Sequence, residues 1–441
     1  MKIPQKPPDW RPESIAALQP SAVAALFRAG SELLAAGRYL HWDELRRRPA
    51  PEGLTHEQWW TGAKLARLTP RVEVPLLDLR GSAFSFTLTT QVHERLHEID
   101  LGLGGAISMP AELANPEQKD RYYVSSLIEE AITSSQLEGA TTTRRIAADM
   151  LRAGREPRDR SERMILNNYL TMKRIGGLKA ERLTPELVFE LHRLATSRTL
   201  DDETAAGRLR SGAERVAVID EYGEVFHEPP PAAELATRMQ AMCAFANGDT
   251  PGGFLHPAIR AIVLHFWLAY DHPFVDGSGR TARALFYWAM LHSRYWLFEF
   301  ISISHIILRA PSRYYRAFLH TETDEGDLTY FILYHLDVIH RAIQALHEYI
   351  ARKASELERL RSELAHMDEL NHRQRALISH ALRRPGTRYT VESHRASHDV
   401  VYETARSDLL NLVERGLLEK HKSGKKLVFT AAKELQAKLA T

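Results

Sequence analysis

Residues 271–288 read DHPFVDGSGRTARALFYW, and this stretch decides both the fold and the chemistry expected of the chain. Gly277, Ser278 and Gly279 stand directly before a helix that we expect to begin near Arg280. Glycines at such a point let backbone N–H groups converge, and the N-terminus of the helix adds partial positive charge. The turn is therefore suited to hold an anion.

Charged side chains surround this turn at spacings that suit a phosphate-bearing ligand. Arg280 and Arg283 are three residues apart, so they project from nearly the same face of the first helical turn. Two cations at a helix N-terminus oppose the helix dipole, which favours a polyanion beside them. Asp276 could hold Mg²⁺ against phosphates, and a neutral His272 could take a proton from an attacking hydroxyl. Together these are the parts that phosphoryl-type transfer needs.

The simplest alternative is an ordinary helix–helix turn that happens to contain two glycines, a core histidine and surface arginines. Each feature alone would favour that interpretation, but all of them fall within residues 272–283. A Walker-type phosphate loop is excluded because the sequence GxxxxGK[ST] does not occur. We therefore treat the stretch as one functional motif.

Residues 272–283 resemble the signature of the Fic family, HPFx(D/E)GNGRxxR, at every specified position but one. The resemblance implies a helical core that transfers AMP from ATP to a Tyr, Thr or Ser hydroxyl of a protein, its own included, and releases pyrophosphate. It assigns the general base to His272, the Mg²⁺ ligand to Asp276, the phosphate cradle to Gly277, Ser278 and Gly279, and the outer phosphates to Arg280 and Arg283.

The exception is Ser278, where the family usually has Asn. Serine keeps a small polar side chain and the backbone N–H, so the cradle can survive. It lacks the reach of the amide, however, and losing a donor to transition-state charge can cost on the order of 10²-fold in rate. The departure makes transfer from a donor other than ATP an open alternative.

A second resemblance lies upstream, where residues 134–139 read SSQLEG. They are similar to the family's inhibitory motif, (S/T)xxxE(G/N), with Ser134, Glu138 and Gly139 at its specified positions. In the family this glutamate pairs with the second arginine of the signature, here Arg283, and blocks seating of the γ-phosphate. A carboxylate placed where a phosphate belongs competes for the same guanidinium fork. The alternative is a helix that ends at Gly139 with Glu138 in solvent.

Residues 215–226 predict a β-hairpin, because Val216, Val218 and Val225 flank a turn that contains Gly223. In the family a hairpin at this place is a flap that aligns a target segment by β-strand addition. The resemblance assigns that contact to Val216, Ala217, Val218 and Ile219. A purely structural hairpin is the alternative.

A chain of 441 residues exceeds the usual size of a single core, so we expect several domains. Helical periodicity dominates, and residues 71–81 read as an extended segment or edge strand. The predicted fold class is mainly α, in three parts. These are a helical accessory domain over 1–116, a Fic core with its inhibitory motif and hairpin over 117–350, and a connecting helix with a winged helix-turn-helix over 351–441.

The last part differs in charge from the rest of the chain. Residues 371–441 contain 14 Lys or Arg against 7 Asp or Glu, whereas the whole chain has a net charge of +2. We expect helices over 373–382, near 391 and over about 400–415, followed by strands over 417–421 and 426–429. Cations that could contact DNA phosphates are Arg406, Lys420, Lys422, Lys425 and Lys426, and acids that weaken this interpretation are Glu403, Asp408 and Glu414. Contact with another protein, or homodimerisation, remains an equal alternative.

Composition restricts the remaining possibilities. Cys243 is the only cysteine, so neither an intramolecular disulfide nor a cysteine-based zinc site can form. The N-terminus resembles no signal peptide, and no apolar stretch is long enough to cross a bilayer, which predicts a cytoplasmic protein without membrane contact. The rival function is a DNA-binding regulator whose Fic core has weakened or altered activity.

Overall fold

The computed structural model describes residues 2–10, 20–68, 71–103, 116–219, 223–250, 252–365, 370–383, 386–423, 426–432 and 435. Their contacts divide the chain into two units, Met1–Leu346 and His347–Thr441. Most of the regular secondary structure in the first unit is helical, and the remainder consists of short antiparallel strand pairs. This confirms the mainly α fold class. Within the described part of the chain, no helix combines the length and apolar character that a bilayer span needs.

The first unit begins with three helices and a hairpin. The helices are α1 (Pro20–Ala35), α2 (Trp42–Leu45) and α3 (His56–Leu68), and β1 (Arg71–Leu77) pairs antiparallel with β2 (Ala83–Thr87). α1 and α3 cross so closely that a Cβ on Gly30 would lie 2.0 Å from the carbonyl oxygen of Gly62, so glycine is required there. The predicted extended segment at 71–81 is confirmed as a strand, and its partner strand is an addition from the structure.

Further helices follow in the chain before and after the hairpin predicted at 215–226, and the last of them extends into the second unit. They are α4 (Thr90–Leu103), α5 (Pro116–Leu137), α6 (Arg144–Ala153), α7 (Arg160–Gly177), α8 (Pro185–Thr196), α9 (Leu235–Asn247), α10 (Pro257–Asp271), α11 (Ser278–His292), α12 (Ile303–Leu308), α13 (Pro311–Thr323) and α14 (Thr329–Ala365). The hairpin is present as β3 (Val218–Ile219) and β4 (Val225–His227), and residues 220–222 of its turn lie outside the described residues.

Helices α10 and α11 form the centre of the first unit. α10 is apolar almost all round, so side chains such as Ile262 and Phe266 are fully buried, as the sequence predicts. α11 is buried along nearly its whole length too, including Phe286, Tyr287 and Trp288. The loop between these two helices is therefore held on a rigid support, which is what a catalytic loop requires.

A buried polar network joins the N-terminal helices to the loop after α13. Lys64 of α3 forms an ion pair with Asp324 at 2.8 Å, and Arg67 donates to the Tyr330 hydroxyl at 2.8 Å. The Tyr39 hydroxyl donates to Asp327. Because these contacts link residues 39–67 with 324–330, the two regions pack as parts of one unit. A domain boundary near Pro116 stays a prediction.

The second unit has its own apolar core. It contains α15 (His372–Arg383), α16 (Val391–His398), α17 (Tyr402–Glu414), β5 (Leu418–Ser423) and β6 (Lys426–Ala431). Ile378, Leu409, Leu412 and Phe429 lie at its centre with no exposed surface. The order of three helices and a two-stranded antiparallel hairpin agrees with the sequence prediction, although Lys425 lies outside the described residues.

Six described histidines of the first unit share one electrostatic property, a pKa below the ordinary 6.5 because burial disfavours the imidazolium. The pKa is lowered to about 4 at His41, His192 and His272, to about 3 at His320 and His335, and well below 6.5 at His265.

We predict that acid destabilises the first unit. Folding depresses these pKa values, so between pH 6.5 and about 4 the unfolded chain binds more protons than the folded one. Stability is therefore complete above pH 6.5 and falls as the pH drops, by up to ~1.4 kcal/mol per pH unit for each histidine. Thermal unfolding followed by circular dichroism from pH 7.5 to 5 measures this. The variant His335→Leu should flatten the dependence, and a melting temperature independent of pH would contradict the prediction.

Candidate active site

The loop between α10 and α11 starts at His272, which adopts a left-handed backbone conformation with φ 41°. This conformation ends α10 and turns the chain away from the helix axis. Arg210 fixes the turn, because its Nε donates to the His272 carbonyl at 2.9 Å and its backbone N–H donates to the Pro273 carbonyl at 2.8 Å. Nothing in the sequence pattern marked Arg210 as a positioning residue, since it lies 62 positions from His272.

The His272 imidazole is held in its neutral form. Its pKa is lowered to about 4, and desolvation is the largest cause; His227 and Arg210 also lower it, whereas Glu138 and a hydrogen bond to the Ala269 backbone raise it. A ring nitrogen that donates to the Ala269 carbonyl leaves the other nitrogen as an acceptor. A neutral imidazole of this kind can accept a proton from a hydroxyl at physiological pH.

Asp276 lies between two arginines on the solvent side of the loop. Its Oδ2 is 3.6 Å from Arg160 Nη2, its Oδ1 is 3.6 Å from Arg280 Nη2, and Oδ1 also accepts from the Gly277 N–H. The side chain is 42% exposed, so one carboxylate edge can reach a ligand. Arg160 comes from α7, and no sequence pattern indicates that it lies here.

Two glycines of the cradle cannot carry a side chain. Gly277 has φ +83°, and a Cβ there would lie 2.4 Å from Thr196 Cγ2. A Cβ on Gly279 would lie 2.3 Å from Glu138 Oε1. The Glu138 carboxylate therefore rests against the backbone of the predicted phosphate cradle, and Ser278 between the glycines has a buried hydroxyl without a hydrogen-bond partner in the described structure.

Arg280 is almost completely buried, with 1% of its surface exposed. Its Nη1 donates to the Ala195 carbonyl at 2.7 Å, but Nε and Nη2 have no hydrogen-bond partner among the described residues. Burial lowers the pKa of the guanidinium, against the pull of Glu138 and Asp276. A buried cation with donors left over is costly, so the site is electrostatically suited to an anion.

Arg283, in contrast, donates hydrogen bonds from both Nε and Nη2. Nε donates to Ser134 Oγ at 2.8 Å, and Nη2 donates to the Ser134 carbonyl and to Glu138 Oε1, both at 2.9 Å. Burial is the largest single influence and opposes the charge of Arg283, but Glu138, Tyr314 and Glu130 together outweigh it, so the pKa is raised. The structure thus brings Ser134, Glu138 and Arg283 together, whereas the alternative of a fully solvent-exposed Glu138 does not hold, since its side chain is 25% exposed.

The local backbone explains why Glu138 reaches the loop. Helix α5 ends at Leu137, and Gly139 takes φ +90° directly after Glu138. The Ala140 N–H then bonds back to the Ser135 carbonyl, which closes the helix end. α5 packs against α7 and α11, so the end of α5 is positioned over the N-terminus of α11.

His192 is a further residue at the site that sequence reasoning missed. Its Nε2 donates to the Asp276 carbonyl at 2.8 Å, its Nδ1 accepts from the Gly207 N–H at 2.9 Å, and its ring stacks on Phe274 with centroids 3.7 Å apart. Burial lowers its pKa to about 4, so it stays neutral. His192 thereby connects α8 to the backbone of the cradle and fixes its shape.

The predicted flap residues lie in and before β3. Val218 and Ile219 form the strand, and Val216 and Ala217 precede it without regular structure. Ile219 is 58% exposed. His227 of β4 anchors the hairpin, because its Nε2 bonds to the carbonyl of Tyr270, two residues before His272.

Comparison with known proteins identifies a family that this part of the chain resembles. Residues 182–290 match the model of the Fic/DOC family, a stretch that includes α8 to α11 and the whole cradle loop. The chain contains a Fic/DOC domain. Glu138 and the second unit lie outside the matched residues.

Curated relatives and a solved structure resemble the Fic/DOC domain and its surroundings. The chain is 31% identical over 168 residues to "Protein adenylyltransferase Fic" of Nematostella vectensis, covering 38% of this chain and 35% of that protein. It is 32% identical over 133 residues to the protein of the same name from Drosophila virilis, covering 30% and 25%. The chain thus spans about a third of these relatives or less. A crystal structure of a Fic family protein from Desulfovibrio desulfuricans shares the fold, with a TM-score of 0.54 at 20% identity over 79% of this chain and 98% of that one.

The loop of the Fic/DOC domain is compatible with a magnesium ion accompanied by phosphates. The described residues contain no group of three or more His, Cys, Asp or Glu side chains that could hold a metal by themselves. Mg²⁺ is commonly bound through one or two carboxylates together with substrate phosphates. Asp276, partly exposed beside the cradle, supplies one such carboxylate, so these residues fit a metal that arrives with its nucleotide.

Proposed function

We propose that this chain transfers AMP from ATP to a hydroxyl group of a protein, its own included, and that Glu138 restrains the reaction. The observation that carries the proposal is the buried Arg280, whose Nε and Nη2 lack hydrogen-bond partners in the described structure, next to the two glycines of the cradle. Such donors suit a polyphosphate. The name protein adenylyltransferase of the curated relatives supports the same activity.

The reaction follows from the positions of the side chains. His272 accepts the proton of the target hydroxyl, whose oxygen then forms a bond to the α-phosphorus of ATP while the bond to the pyrophosphate oxygen breaks. Gly277, Ser278 and Gly279 hold the phosphates through the turn, and Arg280 neutralises their charge at the buried end. Asp276 would hold Mg²⁺, which supplies charge neutralisation when bound. Val216 to Ile219 would align the target segment by strand addition.

The restraint is a competition for one guanidinium. Arg283 Nη2 donates a hydrogen bond to the Glu138 carboxylate at 2.9 Å, so a γ-phosphate can bind to this nitrogen only after Glu138 moves away. The same carboxylate lies against Gly279, which keeps phosphates out of the cradle. Ser134 would remain a partner of Arg283 in either state, and Gly139 would allow the end of α5 to bend away.

The first test is intact-mass spectrometry of the Glu138→Gly protein after incubation with Mg²⁺ and, separately, ATP, GTP, CTP or UTP. We expect a mass gain of one AMP per modified hydroxyl with ATP and release of pyrophosphate. A larger gain with another nucleotide would favour the alternative donor. The absence of an adduct with every nucleotide, on this chain and on proteins of a cell lysate, would favour a regulator without transfer activity.

Position 278 offers a further prediction about this reaction. We expect Ser278→Asn, made in the Glu138→Gly protein, to raise the rate of AMP transfer by about tenfold. An amide donor that reaches transition-state charge is worth on the order of 10²-fold, and we expect the larger side chain to lose part of that gain because position 278 is buried. Initial rates of pyrophosphate release measure it. Ser278→Ala is the matched control and should leave the rate within about twofold, since the serine hydroxyl has no hydrogen-bond partner among the described residues. A slower Ser278→Asn enzyme would show that serine is adapted to a different donor.

A further inference from the structure

The second unit contains two helices arranged as a helix-turn-helix. α16 (Val391–His398) and α17 (Tyr402–Glu414) pack against each other and are joined by residues 399–401. Asp399 adopts a left-handed conformation with φ 49°, which turns the chain between them. In DNA-binding proteins with this arrangement, the N-terminal residues of the second helix contact base edges in the major groove.

One side of the N-terminal half of α17 is exposed to solvent in the described structure. Val401 is 70% exposed and Tyr402 43% exposed, although apolar and aromatic side chains of this size are usually covered. Arg406 and Ser407 are exposed one turn further along. The opposite side of the helix carries Ala405, Asp408, Leu409 and Leu412 into the core. A methyl-bearing side chain, two hydroxyls and an arginine are the groups that recognise base edges.

The acidic residues of α17 disfavour nucleic-acid binding less than their number in the sequence suggests. Asp408 is buried and receives hydrogen bonds from Arg373 at 2.7 Å and from Asn371 at 2.7 Å, and His394 lies 3.2 Å away. Its charge is therefore neutralised inside the unit. Glu403 lies 3.6 Å from Arg406, so the exposed charges of the N-terminal half balance each other.

Cations are exposed on the elements that precede and follow α17 in the chain. Arg388 and Arg395 are exposed before and on α16, and Lys420 and Lys422 are exposed on β5 of the hairpin. Residues 371–441 carry 14 Lys or Arg against 7 Asp or Glu, an excess of seven positive charges. A phosphate backbone on either side of a major groove is the polyanion that matches a weakly charged helix between two basic elements.

We propose that residues 347–441 bind double-stranded DNA, with the N-terminal half of α17 in the major groove and Lys420 and Lys422 on the phosphates. Val401, Tyr402 and Arg406 contact the bases, and Arg388 and Arg395 contact the opposite strand. The assignment does not depend on AMP transfer by the first unit, and each can fail without the other.

Fluorescence anisotropy of the full-length protein with labelled duplexes of mixed sequence, about 30 base pairs or three helical turns long, tests the proposal. We expect binding that weakens steeply with salt, with log K falling by about 0.9 per phosphate contact for each unit of log salt concentration. Lys420→Ala/Lys422→Ala should weaken binding by about tenfold at low salt and reduce the magnitude of the salt slope by about 2.

Arg406→Ala separates base contacts from phosphate contacts. After selection of a preferred sequence from a random duplex pool, this variant should lose about tenfold in affinity for that sequence and little for mixed DNA. Arg145→Ala/Lys173→Ala removes two exposed cations from the first unit and is the charge-matched control, which should bind like the unmodified chain. Equal losses in the control and in Lys420→Ala/Lys422→Ala would overturn the proposal. The absence of binding at low salt would also overturn it. So would self-association through α17 without DNA binding, measured by analytical ultracentrifugation.

Discussion

Replacing Glu138 by glycine is expected to raise AMP transfer about 5- to 150-fold at sub-saturating ATP, the range typical of coupling between two sites. The substitution removes the carboxylate 2.9 Å from Arg283 Nη2 and frees the space against Gly279. Arg283 and Arg280 can then both donate hydrogen bonds to phosphates. Glu138 is followed by Gly139 at a helix end, so a second glycine there costs little helix stability.

The measurement is the initial rate of pyrophosphate release as a function of ATP concentration, with nucleotide affinity followed by isothermal titration. Glu138→Gln keeps the size of the side chain and removes its charge, so we expect an intermediate rate. Glu129→Gln is the matched control on the same helix. Glu129 pairs with Arg144 and His305 rather than with Arg283, and its loss should not activate the enzyme. Equal rates for the unmodified protein and Glu138→Gly would contradict the restraint.

Replacing His272 by alanine in the Glu138→Gly protein is expected to lower AMP transfer by about 10²- to 10⁴-fold, the contribution usual for a general base. ATP affinity should change little, since His272 belongs to neither the glycine cradle nor the arginine pair. His292→Ala at the far end of α11 is the control and should retain activity. A His272→Ala protein with undiminished transfer would rule out the proposed chemistry.

The pH dependence of the Glu138→Gly enzyme tests the same residue in another way. The pKa of His272 is already lowered to about 4, and Glu138 is one of the groups that raise it, so removing Glu138 lowers it further. The imidazole is then neutral throughout the range in which the protein is folded. We expect kcat/KM to show no acid limb near pH 6.5, and a limb at that pH would assign the base to a different group or to a more solvated imidazole.

Most helices and the loop between α10 and α11 could be predicted from the sequence, because both depend on local patterns. The apolar surface of α10, the glycines before α11 and the spacing of Arg280 and Arg283 each reflect a backbone conformation within a few residues. The loop at 36–41 between α1 and α2 and the strand at 83–87 were harder to predict, since their patterns are short. The pairing of Glu138 with Arg283 was available only through a resemblance, and the structure shows the contact.

The sequence alone determined the identity and order of the chemical groups: a histidine, an aspartate, two glycines and two arginines on one loop and the first turns of the helix that follows it. Tertiary structure decided how those groups behave. It brought Arg210, His192 and Arg160 to the loop from positions 62, 84 and more than 100 residues away, and it left two donors of Arg280 without hydrogen-bond partners among the described residues. It also placed the side chain of Asp408 inside the second unit. Burial and long-range contacts set pKa values and pairing, and these arise only when distant helices pack together.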